Sequence, residues 1–554
     1  MDQSRAPLLK KESWRGGISD WEDKGPDGSF KFGSNIDIRK QKDTLSCGQA
    51  LMDIGDLVTS SSLSPSASRS PSASASPSAS PSVSPSASVS PTQGGTSPSA
   101  SRSPSASRSP SASLSPSASV SPSTSVSPSP SPTAGLTTVF SDLIRHWVAA
   151  SDGNTYGFGN TGKIYKVAAD LTATLVYNQG SEIKGADEEP ASNGNKYLIW
   201  ATNTEVHRKP ISGNAAWNDV DQTVPGTPDP GWPKTNLTSS VPHTMRQIGG
   251  AVEIANGSSL AKVGYDQSFA TAALDIIPGN IIKTIVERNS RGVYGVFKEG
   301  FDGKGVNAAL DTEVPLAQIG DDGEIFFANM SEFVPYKRFP GGGVVNPGGV
   351  AAEVHHAAFF EWDGSAQSYI DKQIIKNMGL WGVYSADDGK NGVYTIGRRY
   401  KNHPFVMNLE YELDVDEIGA VIVSNGNTLI SYRDGSSFGV KAVDPNNKAT
   451  GTFESLDWRV PVKGVEKLTV FDYTELYMAP LPASCSVAYY YRMNKDGSFV
   501  QAKTVDGQTT YSTVGGEKAV FRINAEGEIV ERKIVLTPSG NNSPEIYREW
   551  VYGG

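Results

Sequence analysis

A repeated hairpin motif restricts the fold of this chain more than any other feature of its sequence. Segments that alternate apolar and polar residues stand on both sides of an Asn-Gly or Asp-Gly pair. The clearest pairs are Asp152-Gly153, Asn193-Gly194, Asn256-Gly257, Asp322-Gly323, Asp388-Gly389 and Asn425-Gly426. Both central positions of a type I′ turn need a positive φ, which Asn, Asp and Gly tolerate. The motif therefore predicts short antiparallel strands joined by tight turns.

Seven units of this kind follow one another at uneven spacing. They are marked by Trp147, Ile183, Thr244, Ile282, Asp322, Leu380 and Ala420. Four short strands in about 40 residues make one blade of a β-propeller. We therefore predict an all-β chain in which residues 135–455 form a β-propeller of six to eight blades, with seven as the expected number. Residues after Pro340 are interpreted as an elaborated loop of the fifth blade, and a β-sandwich or β-solenoid of the same hairpins is the alternative.

The C-terminal part of the chain has longer strand-like segments at wider spacing. Residues 486–492, 518–523 and 534–537 are examples, and each is rich in aromatic or β-branched residues. Six to eight such strands in about 100 residues are typical of a β-sandwich. We predict that residues 456–554 form a separate β-sandwich domain.

Residues 60–134 are an almost pure SPSAS array. Ser and Ala offer little to bury and Pro removes backbone donors, so this segment cannot offset the entropy of ordering itself. We predict a disordered linker that samples extended polyproline II conformations. A passive spacer is the simplest role, and O-glycosylation or a specific ligand role are the alternatives.

Residues 1–59 form a short N-terminal arm before this array. Residues 28–33 and 35–39 alternate as strands do, but the arm is too short to fold alone. We expect its strands to pair with a later domain. The Ser/Pro-rich array would then be an insertion that loops out of a folded body.

Charge and targeting signals narrow the classes of partner and location. The formal net charge of −10 argues against nucleic acid as a partner, because no stripe of Lys and Arg is present. The two cysteines, Cys47 and Cys485, form no disulfide framework, and a single disulfide between them is the alternative. The N-terminal residues lack the apolar core of a secretory signal, and no window is long enough to span a membrane. We expect a chain assembled in the cytoplasm.

Motifs of catalysis and metal binding are absent from the sequence. No HExxH, GxSxG, P-loop or GxGxxG pattern occurs in the required context. The histidines are interpreted as core or solvated residues: His146, His207, His243, His355, His356 and His403. Residues 385–389 match only part of the Asp box of sialidase-like propellers. We assign no catalytic, metal or cofactor residue and expect no enzyme, with a glycosidase as the alternative.

Two groups of side chains are candidates for binding. Glu412, Asp414 and Asp416 alternate along a predicted strand and could present three carboxylates to calcium or to a basic partner, although a solvated outer strand is the simpler and favoured interpretation. Three tryptophans could stack on sugars at the propeller mouth or lie in the core: Trp217, Trp232 and Trp362. No binding residue is assigned from these.

Several runs of the sequence resemble a known group of proteins. The runs are DGNTYGFGNTGKIYKV, IKGADE, YLIWATNTEVHRKP, WPKTNLTSS, PGNIIKT, RFPGGGVVNPGGV and KNHPFVMNLEYELDVDEIGA. They are similar to predicted virion structural proteins of tailed bacteriophages, known largely from environmental sequences. The resemblance covers residue 136 to the C-terminus and the arm near residues 30–51. It implies a tail-associated component and supplies no catalytic residues.

The residues and the resemblance together predict a phage virion structural protein of the tail. Such a protein would act in host-surface attachment or tail assembly by binding protein or glycan, as a homo-oligomer within the particle. Its expected partners are other tail proteins and a host-surface glycan or protein, with no cofactor. A glycan-processing propeller enzyme and a bacterial interaction scaffold are the alternatives.

Overall fold

The structure is a computed structural model, and it describes most of the chain. The described residues are 7–14, 16, 29–37, 44–55, 138–211, 217, 220–222, 224, 226, 227, 229–276, 280–288, 291–298, 316–319, 325–328, 353–360, 376–384, 390–398, 406–459 and 468–554. All regular elements in these ranges are β-strands, so the all-β prediction is confirmed. Residues Met1–Leu57 and Thr137–Gly554 form one compact unit, to which every described residue belongs.

Strands from the arm and from the repeated units are numbered in chain order. The arm contains β1 (Leu9–Lys11), β2 (Phe32–Ser34), β3 (Leu45–Ser46) and β4 (Gln49–Ile54). The first three blades are β5 (Ile144–Ala149), β6 (Thr155–Gly159), β7 (Lys163–Val167) and β8 (Ala173–Asn178); β9 (Gly185–Pro190), β10 (Lys196–Ala201), β11 (Glu205–Pro210) and β12 (Lys234–Thr235); and β13 (Met245–Ile248), β14 (Ala251–Asn256), β15 (Ser259–Val263) and β16 (Phe269–Asp275).

The remaining blades have two to four described strands each. Blades 4 and 5 are the hairpins β17 (Asn280–Arg288) with β18 (Arg291–Lys298) and β19 (Leu316–Ile319) with β20 (Ile325–Ala328). Blade 6 is β21 (Glu353–Phe360), β22 (Lys376–Tyr384), β23 (Gly392–Arg398) and β24 (Val406–Glu412). Blade 7 is β25 (Glu417–Ser424), β26 (Asn427–Asp434), β27 (Ser437–Lys448) and the arm strand β4.

Local turn chemistry forms these hairpins, as β25 and β26 show. The strands pair from Ser424 with Asn427 outward, and Asn425 and Gly426 lie between them. Their φ values are 52° and 75°, the two positive values that a type I′ turn requires. The predicted Asn-Gly signal therefore sets this register directly.

The first strands of the seven blades form a closed ring among the described residues. Each of β5, β9, β13, β17, β19, β21 and β25 contacts the next, and β25 contacts β5 again. Antiparallel sheets arranged radially around such a ring define a β-propeller. The prediction of a propeller with seven blades is confirmed.

The N-terminal arm completes the last blade. Strand β4 pairs antiparallel with β27, with Ile54 opposite Val440, so residues from before the Ser/Pro array provide the outer edge of blade 7. The next blade begins beside it, because the amide of Val139 donates to the carbonyl of Gly55 at 2.8 Å. Gly55 and Val139, the described residues on either side of the Ser/Pro array, are therefore direct neighbours.

A β-sandwich follows the propeller and includes the rest of the arm. Its first sheet runs β1, β36 (Glu545–Gly553), β30 (Thr469–Met478), β34 (Lys518–Gly527) and β33 (Lys503–Thr504), with β3 also on β36. Its second sheet runs β2, β28 (Gly451–Glu454), β35 (Ile529–Thr537), β31 (Ser486–Met493) and β32 (Val500–Gln501), with β29 (Trp458–Arg459) also on β35. The predicted C-terminal sandwich is confirmed.

Aromatic and aliphatic side chains from both sheets and the arm share one core in the sandwich. Phe471 and Phe521 extend from the first sheet, Val487 and Tyr489 extend from the second, and the arm adds Trp14. All five are 0% exposed. Each buried aromatic side chain removes about 150–250 Å² from water, so the arm contributes substantially to this core.

One strand and one connection between sheets differ from what the sequence predicts. Two predicted segments lie wholly or partly outside the described residues. Residues Glu353–Phe360, predicted as loop, form β21 and pair with β22, because the segment contains none of the Gly, Pro, Asn or Asp residues that favour turns. Strand β2 also pairs with β24 of blade 6, so one continuous sheet joins blade 6 to the sandwich. The Ser/Pro array and the loop predicted after Pro340 lie outside the described residues up to position 352, and the domain boundary at residue 456 stays a prediction.

Candidate functional site

Strand β11 in blade 2 buries three consecutive basic residues. Alternate side chains of a strand point to opposite faces. His207 lies opposite Trp200, which packs with blade 1, and Arg208 lies opposite Ile199, which packs with blade 3. Lys209 is on the His207 side, and all three residues are at least 94% buried. A strand with cations on both covered faces needs compensating partners, since an isolated buried charge is costly.

Arg208 is held between two aromatic rings and one carboxylate. Its guanidinium carbon lies 4.3 Å from the ring centroids of both Tyr197 and Trp232. Its Nη2 donates to Asp229 Oδ2 at 2.7 Å. Trp232 and Asp229 come from the segment between β11 and β12. This segment therefore covers the cation that β11 presents towards blade 3.

Asp221 from the same segment bonds both a side chain and the backbone of β11. Its Oδ2 lies 2.8 Å from His207 Nδ1, and its Oδ1 accepts the backbone amide of Arg208 at 2.9 Å. Gln179 of blade 1 accepts the indole N–H of Trp200 at 3.2 Å, which leaves its amide nitrogen to donate to His207 Nε2, also at 3.2 Å. The contact between Gln179 and His207 therefore links blades 1 and 2.

Glu189 of β9 is the most perturbed carboxyl group near this cluster. It is 0% exposed, and burial raises its pKa from 4.5 to about 7, against the lowering effects of Gln267 and Arg208. Gln267 of blade 3 donates to Glu189 Oε1 at 2.7 Å. Four buried polar atoms here have no hydrogen-bond partner among the described residues: Glu189 Oε2, Gln267 Oε1, and Nε and Nη1 of Arg208.

The chemistry of this cluster favours support of the blades over catalysis. A general acid with a pKa near neutrality is typical of glycosidases, but the acid must reach its substrate. Glu189 has no exposed surface, and His207 contacts Gln179, Asp221 and Glu205 instead of a hydroxyl or thiol nucleophile. The arrangement therefore joins blades 1, 2 and 3.

The other histidines and tryptophans singled out from the sequence lie in the following places. His146 is partly buried on the inner strand of blade 1, where burial and then Arg145 lower its pKa to about 4. His243 is fully buried and its ring bonds the carbonyls of Ala255 and Asn203. Trp217 packs near Tyr156, in contrast to the exposed position that stacking on sugars requires. The side chains of His355, His356, His403 and Trp362 lie outside the described part.

The predicted row of three carboxylates does not form. Only Glu412 lies in a strand, because β24 ends there, while Asp414 and Asp416 lie in the connection to β25. Asp416 instead accepts the amide of Gly435 at 2.8 Å and lies 3.8 Å from Arg433. The interpretation of one strand face was wrong because the strand ends before the second acid.

The described residues contain no metal-binding group and no membrane-spanning helix. No set of three or more His, Cys, Asp or Glu side chains is placed to hold a metal ion within those residues. Across the same ranges, no helix is long and apolar enough to cross a membrane. Cys47 and Cys485 are both buried free thiols, and burial raises the pKa of each.

Ion pairs in the sandwich form two separate networks. In the interior, Arg532 Nη1 donates to Glu549 at 2.7 Å, and the Tyr489 hydroxyl donates to the same carboxylate at 2.9 Å. On the second sheet, Lys31 of the arm donates to Glu531 at 2.7 Å and Arg492 donates to its other oxygen. Burial opposes ionisation of Glu531, but these bonds lower its pKa to about 2. Both networks fix neighbouring strands.

Sequence reasoning missed the buried cluster of blade 2. Its only local signal is EVHRKP, in which basic residues occupy both faces of a strand. Such a pattern indicates that both faces need polar partners. The partners Gln179 and Asp221 are 28 and 14 residues from His207, so no spacing rule connects them.

Comparison with known proteins adds distant structural likenesses only. No family of known proteins matches the chain, and no curated protein matches its sequence. Three solved structures illustrate what it is similar to: a streptogramin B lyase (11% identity, TM-score 0.33, 55% of this chain and 94% of that one), the Cps50 (Swd1) β-propeller domain of Myceliophteria thermophila (8%, 0.34, 55% and 96%) and YCF48 bound to D1 peptide (8%, 0.31, 55% and 93%). At these TM-scores the likeness carries no argument about function. The sheet topology of the chain itself shows that it is a β-propeller protein.

Proposed function

We propose that this chain is a tail-associated structural protein of a phage virion. It would act in host-surface attachment or tail assembly by binding protein or glycan, without catalysis. Other tail proteins and a host-surface molecule are its proposed partners, and the assembled particle is its proposed location.

The observation that supports this proposal is the way in which the arm ties the body together. Arm strand β4 completes blade 7, arm strands β1 to β3 enter both sheets of the sandwich, and β2 joins the sandwich to β24 of the propeller. The two modules share backbone hydrogen bonds as well as a covalent connection. A rigid β body is suited to a particle that is assembled in the cell and used outside it.

Closure of the propeller ring supports the same role. Trp147 Nε1 of blade 1 donates to the carbonyl of Ala420 in blade 7 at 3.0 Å, and the Ile144 amide donates to Ser431 Oγ at 3.0 Å. Arg145 pairs with Glu417 across the same seam. These bonds hold the first and last blades, where a propeller would otherwise open.

Mass spectrometry of purified particles tests the proposal. Phage particles from a sample that contains the gene are banded on a density gradient, and fractions are searched for peptides of residues 138–554. We expect these peptides to follow the tail proteins through the gradient. Peptides found only in the cell fraction would refute a virion role.

The proposed absence of catalysis has its own test. The purified full chain is incubated with a panel of fluorogenic glycosides, and a sialidase serves as positive control. We expect no release of fluorophore above the level of heat-denatured protein. Turnover that is lost in Glu189→Gln would favour the glycan-processing alternative.

A further inference from the structure

The first sandwich sheet has one face in the core and one face towards solvent. In β34 the buried residues Ala519, Phe521 and Ile523 alternate with Lys518 and Arg522, which are exposed. The outward positions of the neighbouring strands hold a cluster of rings. We call this cluster the aromatic face, and it consists of Tyr473, Tyr477, Trp550 and Tyr552.

The rings of the aromatic face are arranged in two pairs across β30 and β36. Tyr473 and Tyr552 stack at 4.7 Å with an interplanar angle of 17°, and Tyr477 meets Trp550 edge to face at 4.9 Å. Tyr473 and Tyr477 are four residues apart on one strand, which separates the pairs by about 13 Å. Tyr473, Tyr477 and Trp550 each keep part of their surface open. A sheet face with two separated pairs of rings suits an extended ligand that contacts both pairs.

Glu475 fixes the orientation of these rings from the middle of the face. The Tyr477 hydroxyl donates to Glu475 Oε2 at 2.6 Å, and the Tyr552 hydroxyl lies 3.3 Å from the same oxygen. Burial and then this carboxylate raise the pKa of Tyr477 to about 12, so the phenol stays protonated. Lys518 pairs with the other oxygen of Glu475 at 2.6 Å. The rings are therefore held in place before any ligand arrives.

Cations surround the aromatic face. Lys10 and Arg548 lie 5.5 and 5.2 Å from the Trp550 ring centroid, and Arg548 also contacts Glu12 at 3.0 Å. Arg522 and Lys503 are exposed cross-strand neighbours at the other edge. Within the described residues, neither of these two makes an ion pair or side-chain hydrogen bond. Together with Lys518, these four residues place five cations beside Glu12 and Glu475, on a chain whose net charge is −10.

We propose that the aromatic face binds an acidic polysaccharide. Sugar rings would stack on Tyr473, Tyr477 and Trp550, and the carboxylates of uronic acid units would pair with Arg522 and Lys503. Exposed aromatic patches mark interaction sites. The local positive charge attracts an anionic ligand, although the net negative charge of the whole chain repels one. The assignment rests on the proposed role in host-surface attachment and names the class of ligand.

Calorimetric titration of the full chain tests this assignment with defined probes. The acidic probes are polygalacturonate and alginate. Fully methyl-esterified polygalacturonate has the same rings without charge, and polyglutamate has charge without sugar rings. We expect binding of at least one acidic polysaccharide and at least tenfold weaker binding of both control polymers. Equal binding of polyglutamate, or no binding of either acidic polysaccharide, would overturn the proposal.

Matched variants locate the site. Trp550→Ala and the double change Arg522→Gln with Lys503→Gln should each weaken binding about tenfold, and the double change should also reduce its salt dependence. Lys533→Gln, on the second sheet, should leave affinity unchanged. Unchanged thermal unfolding of the double variant shows that its fold is intact. If affinity does not change in it, the proposal is wrong.

The two proposals fail separately. The chain found in particles without binding to either acidic polysaccharide would refute the ligand and leave the virion role. Binding by a chain that is absent from particles would refute the virion role and leave the ligand.

Discussion

Aromatic rings meet cations in both the propeller and the sandwich, but the two regions use these contacts differently. In blade 2, Arg208 is closed between Tyr197 and Trp232 and bonded to Asp229. On the sandwich, Lys10 lies over the Trp550 ring and remains exposed. The propeller encloses its cation within the fold, whereas the sandwich leaves charge and ring surface accessible. The same residue types therefore give stability in one region and a binding surface in the other.

The arm also contributes unequally to the two regions. The propeller receives one edge strand, β4, while the sandwich receives β1, β2 and β3. Five fully buried arm side chains lie in the sandwich core: Trp14, Phe30, Ile36, Leu45 and Cys47. Loss of the arm should therefore damage the sandwich more than the propeller.

The largest expected effect comes from starting the chain at Leu136. The sandwich would lose three strands and part of its core, so we expect it not to fold, and the propeller to lose stability at its last blade. Near-ultraviolet circular dichroism and thermal unfolding measure both. The matched control deletes only residues 58–136 and keeps the whole arm; it should unfold like the full chain, because loop length costs little. A chain from Leu136 as stable to heat as the full chain would contradict the shared core.

Replacing the enclosed cation tests the propeller side of the comparison. Arg208→Met breaks the largely buried ion pair with Asp229, and breaking such a pair costs about 3–5 kcal/mol. Urea unfolding measures the loss. Lys196→Met in the same blade removes an exposed pair with Glu188 and should cost under about 1 kcal/mol. Equal losses in the two variants would show that enclosure between the rings adds nothing.

The carboxyl group beside Arg208 should make the stability of the propeller depend on pH. The pKa of Glu189 is raised from 4.5 to about 7 on folding, so its protonated form is preferred in the folded state. The stability that it contributes is complete below pH 4.5 and is lost as the pH rises through 7. Between pH 5 and pH 8, Glu189→Gln should gain roughly 2–3 kcal/mol on the unaltered chain.

Urea unfolding of both chains at the two pH values measures this difference. Other titrating groups, including His146 with its opposite dependence, are common to both chains and cancel in the difference. Parallel profiles for the two chains would mean that Glu189 is ionised in the folded state throughout this range.

The smallest effect is expected on the aromatic face. Arg548→Met removes a partly exposed cation whose partners, Glu12 and the Trp550 ring, are also open to solvent. Such contacts contribute about 0–1 kcal/mol, so the free energy of unfolding should change by less than about 1 kcal/mol. Urea unfolding checks this value. A loss as large as that of Arg208→Met would place the aromatic face with the structural contacts instead.

The sequence predicts the elements of this fold better than their long-range partners. Asn425-Gly426 and its relatives encode their hairpins locally, so the propeller and its blade number follow from turn chemistry. The strand Glu353–Phe360 was missed because tight-turn pairs do not flank it. Glu189 and Arg208 could not be identified, since their burial depends on blade packing and on the segment after β11. The ring pairs of the aromatic face need the register of β30 with β36, which no local pattern contains.

The hydrogen bond between Val139 and Gly55 has a consequence for the integrity of the protein. Because Gly55 and Val139 are hydrogen-bonded neighbours, a proteolytic nick anywhere between them would divide the polypeptide without separating the described strands. The N-terminal fragment would remain bound through β1 to β4 as a small non-covalent subunit. Residues 1–55 and 138–554, produced as two polypeptides, are therefore candidates for fragment complementation.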